Sequence, residues 1–317
     1  MRPKRFLSVL AISVAMVLLA ATTAQAQITA EKVIGGPGLQ LRPFGNGTYY
    51  SWESNSKSRP NHYDAFARLV GGTDVIKLNA PKTQGFAGNF DPGTNTVVYQ
   101  QTVGGSSDIY LYDLDTSTRT KVPGASASVV WEWAPRISSS YLLFSIDKYV
   151  RGAWQTSVVI MDRNTQSMKR IGKWSEAKTA VIPGGVGETY ATFSTCGRVN
   201  CTAFLYTIAG GQVQRVPTPS GKIAFAGVVD ETSGVLYFMR SGLTCGSNSG
   251  LWSLPVTSLS DAPTKLAVLP RGEDADIIMS LAPDPTTLNG IDVLFEHVVC
   301  GSSLSSWDIY RFPNVNL

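Results

Sequence analysis

Few side chains in this sequence could do chemistry, and they are scattered. Trp131-Glu132-Trp133, followed by Arg136, sets two large aromatic surfaces beside a carboxylate and a guanidinium. Such a group can stack on a sugar ring or anchor a peptide. Glu273, Asp274 and Asp276 form an acidic group, and paired carboxylates across a cleft are what glycoside hydrolysis requires. Asp113-Asp115 and Asp230-Glu231 fall where turn amides need acceptors, which gives them a structural reading. His62 and His297 are the only histidines, too few for a three-histidine metal site. Calcium prefers six to eight oxygens, and the innermost strands offer only Asn89, Glu132 and Asp276. No cofactor is therefore expected. The nearest approach to a nucleophile elbow, Gly246 to Gly250, carries Asn248 at the nucleophile position.

The chain that must position these groups begins with Arg2, Lys4 and Arg5, an apolar run from Phe6 to Ala21 and the small-residue site Ala24-Gln25-Ala26. Residues 1–26 read as a cleaved signal peptide, leaving 27–317 as a single domain that is periplasmic or secreted. Removing the three basic residues leaves 27 − 3 = 24 against 23 acidic ones, so the net charge falls from +4 to +1. A nearly neutral chain is a poor partner for nucleic acid. The 43% apolar content is ample for a core, and 16% charge with 30 Gly and 17 Pro excludes disordered and coiled-coil classes. Beyond the leader no run of about 18 apolar residues remains to span a bilayer.

Internal repetition supplies the architecture. Windows of 18 residues beginning at Tyr63, Ser107, Thr156 and Cys201 align without gaps, with a longer copy from Gly250 and a broken one from Trp307. Each is an apolar strand, a polar turn and a second strand bearing a basic residue. That residue recurs at Lys77, Lys121, Arg170, Arg215 and Lys265, at intervals of 44, 49, 45 and 50, the period of a four-stranded propeller blade. Two more strand-like runs precede each window. Six units of four strands follow: an all-β, six-bladed β-propeller of antiparallel sheets. The sixth unit ends before its basic residue, and Lys32, 45 residues before Lys77, is in phase to replace it. The mature N-terminus is therefore expected to pair with the strand at Ile309 to Phe312 and close the ring. A closed ring needs no second subunit, so a monomer is expected. Innermost strands are expected near 38–43, 85–90, 128–134, 178–182, 223–229 and 276–282.

Four cysteines in an exported chain permit three connectivities. Cys196 and Cys201 bracket one hairpin turn of the fourth unit. Cys245 and Cys300 occupy the same turn in the fifth and sixth units, which neighbour each other. Cys196 with Cys201 and Cys245 with Cys300 is the preferred pairing.

Strands of the form DIYLYDLDTSTRTKVPG, preceded by a turn such as DPGTNTVVYQ, resemble the WD40-like repeats of the TolB propeller family. Asp91-Pro92-Gly93 and Pro283-Asp284 are what remains of that family's Ser-Pro-Asp-Gly turn, and TolB's small N-terminal α/β domain has no counterpart. The resemblance implies a periplasmic or secreted propeller that binds proteins or small ligands at a channel mouth. Similar propellers also cover peptidase active sites, but six units leave no room for a hydrolase domain. Oligogalacturonate lyases resemble the fold and use a histidine-rich manganese site, whose ligands are lacking.

The expected function is a non-catalytic binding or scaffold module for an envelope or extracellular protein or peptide, with a glycan as a further candidate. Trp131, Glu132, Trp133, Arg136, Glu273, Asp274 and Asp276 are the expected mouth residues. The alternative is a carbohydrate-active or hydrolytic enzyme using channel carboxylates. Alternation puts Trp131 and Trp133 on one face of a strand and Glu132 on the other. Because the space between blades needs large apolar fillers, the tryptophans are expected to face the neighbouring blade as core, with channel lining, where they could stack on a sugar or anchor a peptide, as the alternative. One side of the strand is expected to meet the channel. The segments 148–156 and 296–307 are expected as loops long enough to carry specificity.

Overall fold

The computed structural model describes residues 28–317 except 57, 124–129, 177–178, 198–199, 219–221, 243–244, 247–248, 285, 288–289, 302–306 and 316–317. The expected signal peptide lies outside the described residues. Strand β1 (Glu31–Ile34) precedes the first blade, formed by β2 (Gln40–Gly45), β3 (Tyr49–Ser56), β4 (Arg59–Leu69) and β5 (Val75–Lys77). The second blade is β6 (Gln84–Phe90), β7 (Thr96–Val103), β8 (Ser106–Asp113) and β9 (Thr118–Lys121). The third is β10 (Val130–Ile137), β11 (Tyr141–Val150), β12 (Ala153–Asp162) and β13 (Met168–Arg170), with β14 (Ser175–Glu176) also pairing with β12. The fourth is β15 (Ala180–Val186), β16 (Tyr190–Cys196), β17 (Cys201–Thr207) and β18 (Gln212–Arg215). In the fifth, β19 (Lys222–Ala224) and β20 (Val228–Asp230) share the inner position beside β21 (Val235–Gly242), β22 (Gly250–Pro255) and β23 (Thr264–Val268). The sixth is β24 (Glu273–Pro283), β25 (Ile291–Val299) and β26 (Asp308–Phe312), with β1 as its outermost strand.

Ring closure has the expected register. Glu31 pairs with Arg311, Lys32 with Tyr310 and Ile34 with Ile309. Arg311 holds Glu31 at 2.9 Å and Asp292 at 2.8 Å, and Arg68 of the first blade donates to the Val33 carbonyl at 2.9 Å. Ile34 packs with Tyr50, Trp52, Ala282 and Leu294, so one short strand joins the first and last blades.

The recurring basic residue has a packing cause. Lys77 opposes Phe66, Lys121 opposes Tyr110, Arg215 opposes Phe204, Lys265 opposes Trp252 and Lys32 opposes Tyr310. A long aliphatic stem can cover an aromatic ring while its charge stays in water. Lys77, Lys121 and Lys32 also reach Asp64, Asp108 and Asp308 at 2.7, 2.9 and 2.5 Å.

Inner strands carry a break at a shared position. Register shifts lie between Leu41 and Phe44, Ala87 and Phe90, Trp133 and Arg136, Pro183 and Val186, and Ala275 and Met279. In the fifth blade the gap between β19 and β20 takes the same place. Bulges bend a strand and re-aim its side chains. Hydroxyls of neighbouring blades pin carbonyls freed at three of these breaks: Ser51 donates to Gly88 at 2.9 Å, Ser280 to Pro43 at 2.8 Å and Thr192 to Gly227. Ser145 donates to Val181, just ahead of the fourth blade's break. Gly88 is required here, since a Cβ would lie 2.6 Å from the carbonyl oxygens of Pro135 and Val98.

Candidate binding cleft between the third and fourth blades

Side chains stand perpendicular to a sheet, so each blade's faces look at its neighbours. That geometry sorts the expected mouth residues into three places. Trp131 opposes Asp147 on β11, Asp147 opposes Thr156 on β12, and Trp133 opposes Ser145. All five share the face turned toward the fourth blade, where the Ser145 hydroxyl bonds the Val181 carbonyl. The tryptophans therefore meet neither the channel nor a fully closed core. Above Ser145 the seam opens into a cavity of about 440 Å³ lined by Trp133, Asp147, Trp154, Thr156, Ile182 and Cys196, among others. Glu132, on the opposite face, is buried, and its carbonyl accepts from Ser107 of the second blade at 2.8 Å.

The rim of the cleft is aromatic. Trp131 is 41% exposed, Trp154 43% and Tyr149 60%, with ring centroids 5.9 Å apart for Trp131 and Trp154 and 5.4 Å for Tyr149 and Trp154. Tyr149 and Trp154 are cross-strand partners near the tip of the β11–β12 hairpin. The expected loop at 148–156 is thus a pair of strands joined through Arg151 and Gly152, with φ of 53° and 85°. Positive φ at both central residues is the demand of a type I′ turn. The expected 148–156 segment takes in Tyr149, Trp154 and Thr156 without singling any of them out, and Asp147 lies just outside it. The available signal was the aromatic pair flanking Arg-Gly.

Arg136 occupies the centre of the ring. The bulge after Trp133 swings it off the blade face, and its Nε donates to the Gly184 carbonyl at 2.8 Å while the guanidinium lies 4.4 Å over the Phe44 ring. Burial pushes its pKa down to about 9, with Arg42 adding to the fall and Glu53 and Glu296 opposing it. It therefore remains charged at neutral pH. Arg42, at a positive φ of 51° in the first blade's bulge, donates its backbone N–H to Glu296 at 2.5 Å and approaches Glu53 at 3.5 Å. Glu53 is raised from its ordinary value by burial, against the pull of Arg42 and Arg136. Arg42, Arg136, Glu53 and Glu296, from the first, third and sixth blades, thus gather around one place, with Arg136, Glu53 and Glu296 buried and Arg42 partly exposed. Glu53 and Glu296 were not singled out from the sequence.

The acidic group lies across the ring from the tryptophans, against the fifth blade. Glu273 meets His297 at 2.7 Å. Asp274 accepts from Ser241 at 3.0 Å and from Ser249. Asp276 belongs to β24, and its side chain lies outside the described residues. Cys245 and Cys300 are joined at this seam with Cα atoms 5.8 Å apart, and Cys196 and Cys201 are joined across their hairpin at 4.0 Å. His62 contacts Asp64 at 3.4 Å in the first blade, and His297 lies in the sixth. Of the expected turn acids, Asp113 and Glu231 each accept backbone N–H groups, Glu231 from Glu188, Thr189 and Tyr190.

No protein-family model matches the sequence, and neither does any curated protein. Solved structures do resemble the fold. TolB from Acinetobacter baumannii matches with a TM-score of 0.53 at 16% identity, over 87% of this chain and 63% of its own. This chain thus spans less than two thirds of that protein's length. A putative TolB from Agrobacterium tumefaciens gives 0.55 at 11% identity, over 87% and 90% of the two chains. An oligogalacturonate lyase in complex with manganese gives 0.56 at 11% identity, over 91% and 77%. Identities this low speak to architecture alone: the chain has the six-bladed β-propeller fold of the TolB-like structures.

Proposed function

We propose that the protein is an exported, non-catalytic binding module that docks an envelope component over the cleft between its third and fourth blades. The observation that carries this reading is the exposed aromatic rim of Trp131, Trp154 and Tyr149 around a concave opening. Exposed aromatic clusters of this kind mark interaction sites. Rigid blades hold the rim in place, so docking costs little ordering entropy. Export is supported by the N-terminal leader and by two cysteine pairs at bonding distance.

An envelope protein or peptide laid across the rim is the docking that the sequence suggests. A glycan is the second reading, favoured by the unpaired polar atoms described below. The enzymatic alternative has weaker support. Glu53 and Glu296, carboxylates of two blades near the inner end of the ring, are buried, with Glu53 3.5 Å from the Arg42 guanidinium and Glu296 accepting the Arg42 backbone N–H, rather than open to a substrate.

The test is to immobilise the mature protein and its Trp131→Ala/Trp154→Ala variant, expose both to envelope extract and identify what each retains by mass spectrometry. The wild type should hold a species that the variant loses, and release it chemically unchanged. Equal retention by both would move the docking face elsewhere, and a processed product would make the protein an enzyme.

A further inference from the structure

Resting on the reading of the cleft as the docking site, we propose that it is a saccharide site, taking a neutral hydroxylated ring between the third and fourth blades. Three side chains lining the cavity each carry a buried polar atom without a hydrogen-bond partner: Trp133 Nε1, Asp147 Oδ1 and Thr156 Oγ1. Thr156 as a whole is 8% exposed. Native proteins leave few buried polar groups unpaired, and three around one cavity describe what would fill it.

Their chemistry selects the ligand. Trp133 Nε1 can only donate, an ionised Asp147 can only accept, and the Thr156 hydroxyl does either. An ammonium or guanidinium would satisfy Asp147 and turn positive charge toward the indole donor. A carboxylate or phosphate would suit Trp133 and repel Asp147. Adjacent hydroxyls of a sugar ring both donate and accept, so they answer all three atoms without net charge. A peptide backbone also offers a donor and an acceptor, but on opposite edges, whereas these three side chains rise from one face of one sheet. Ordered water could pair the same atoms, yet it needs no aromatic rim. A pyranose does, because its apolar face stacks on indole or phenol rings such as those of Trp131, Trp154 and Tyr149. The volume of about 440 Å³ falls in the range of small-ligand pockets. Thr179 and Gly197 also border a second cavity of about 620 Å³, which gives room for further sugar units.

The repeat supports the assignment independently. Thr156 occupies the window position held by Ser107 in the second blade. There the hydroxyl crosses to the Glu132 carbonyl of the next blade and closes the seam. In the third blade the corresponding hydroxyl is left beside the cavity.

The experiment uses the mature, oxidised chain and an array of glucose, galactose, mannose and N-acetylglucosamine, singly and as short oligomers. Binding is measured by calorimetry and tryptophan fluorescence. Asp147→Leu and Thr156→Val nearly keep the side chain's size and remove its polar atoms, and Trp133→Phe removes the indole N–H together with part of the ring. Each should weaken the bound saccharide by about tenfold, as loss of one hydrogen bond does. Thr156→Val should leave the unliganded melting temperature unchanged or raise it, an outcome a structural hydroxyl would not give. Saccharide binding indifferent to all three variants would overturn the proposal. An array without binding, while the wild type still retains an envelope peptide that the rim variant loses, would overturn the saccharide and leave the docking site standing. Failure of both would remove both.

Discussion

Replacing Ile34 by alanine tests whether the ring is held shut by its N-terminal strand. Ile34 is 4% exposed and packs with Tyr50 and Trp52 of the first blade and with Ala282, Leu294 and Ile309 of the sixth. Truncating a buried isoleucine costs roughly 2–5 kcal/mol, the spread reflecting how far the site can collapse. A position between two sheets, each fixed by its own ladder, has little freedom to collapse, so about 3 kcal/mol is a fair central value. For a domain somewhat larger than 150–250 residues, each kcal/mol moves the melting point by about 2 °C. The variant should then melt about 6 °C below the wild type. Lys32→Ala, in the same strand, removes an ion pair whose lysine is 49% exposed and a stem lying opposite Tyr310, and should cost about 1 kcal/mol or about 2 °C. Met168→Ala is the control, an exposed residue on the outer strand of a blade that takes no part in closure. Thermal unfolding followed by circular dichroism gives all three numbers. If Ile34→Ala melts with the Met168 control, β1 does not carry the closure and the ring is held by other seams.

Two further outcomes follow from the same geometry. Loss of the Cys245–Cys300 bond should destabilise by about 4 kcal/mol and loss of Cys196–Cys201 by about 2 kcal/mol on the chain-entropy scale. The loops they close differ, with sequence separations of 55 and 5, and serine variants melted with and without reductant measure the gap; equal losses would mean that loop length does not set the effect. Glu53 titrates higher in the fold than its ordinary 4.5, because burial outweighs Arg42 and Arg136. A raised acid favours the fold fully below its unfolded value and loses that contribution as pH rises through the folded one. Stability from Glu53 should therefore decline with rising pH from about pH 4.5 upward, and Glu53→Gln should flatten that part of the denaturant midpoint curve. An unchanged slope would show that the arginines outweigh the burial.

What could be read from the sequence, and what could not, divides along a physical line. Period and closure were legible because a basic residue recurs at one place in the blade, opposite an aromatic ring in five of six cases, as at Lys77 and Phe66 or Lys32 and Tyr310, with Arg170 opposite Val159 as the exception. The cysteine pairing was legible for the same cause, since equivalent turns of neighbouring blades lie side by side. The site was less so. Alternation separates Trp131 from Glu132 correctly, but it does not say that both faces of a blade look at other blades and that only its inner edge meets the channel. Arg136 reaches the channel through a bulge, whose sign in the sequence was the proline that three inner strands carry there, Pro43, Pro135 and Pro183. Glu273 and Asp274, grouped with the tryptophans by their position ahead of an inner strand, sit three blades away, because nearness to some channel mouth says nothing about which sector of the ring.

The buried charges bear on where a ligand can act. Arg42, Arg136, Glu53 and Glu296 close the middle of the ring with side chains from three blades, and Arg42 and Ala134 hold φ of 51° at the bulges that aim this cluster. Left-handed backbone at a non-glycine residue has a cost, and removing one member of a buried charge cluster typically destabilises by about 3–5 kcal/mol. The plug is therefore a structural commitment, and recognition falls to the seams between blades. Most described seams are closed by short polar side chains: Ser107 to Glu132 between the second and third blades, Thr192 to Gly227 between the fourth and fifth, and Asp274 to Ser241 and Ser249 between the fifth and sixth. Between the third and fourth, Ser145 bonds Val181 deep in the seam. Above it Asp147 and Thr156 find no partner across the gap. A seam that is stitched at depth and open at its rim, with aromatic rings at the opening, is a place where a propeller can bind without loosening its ring.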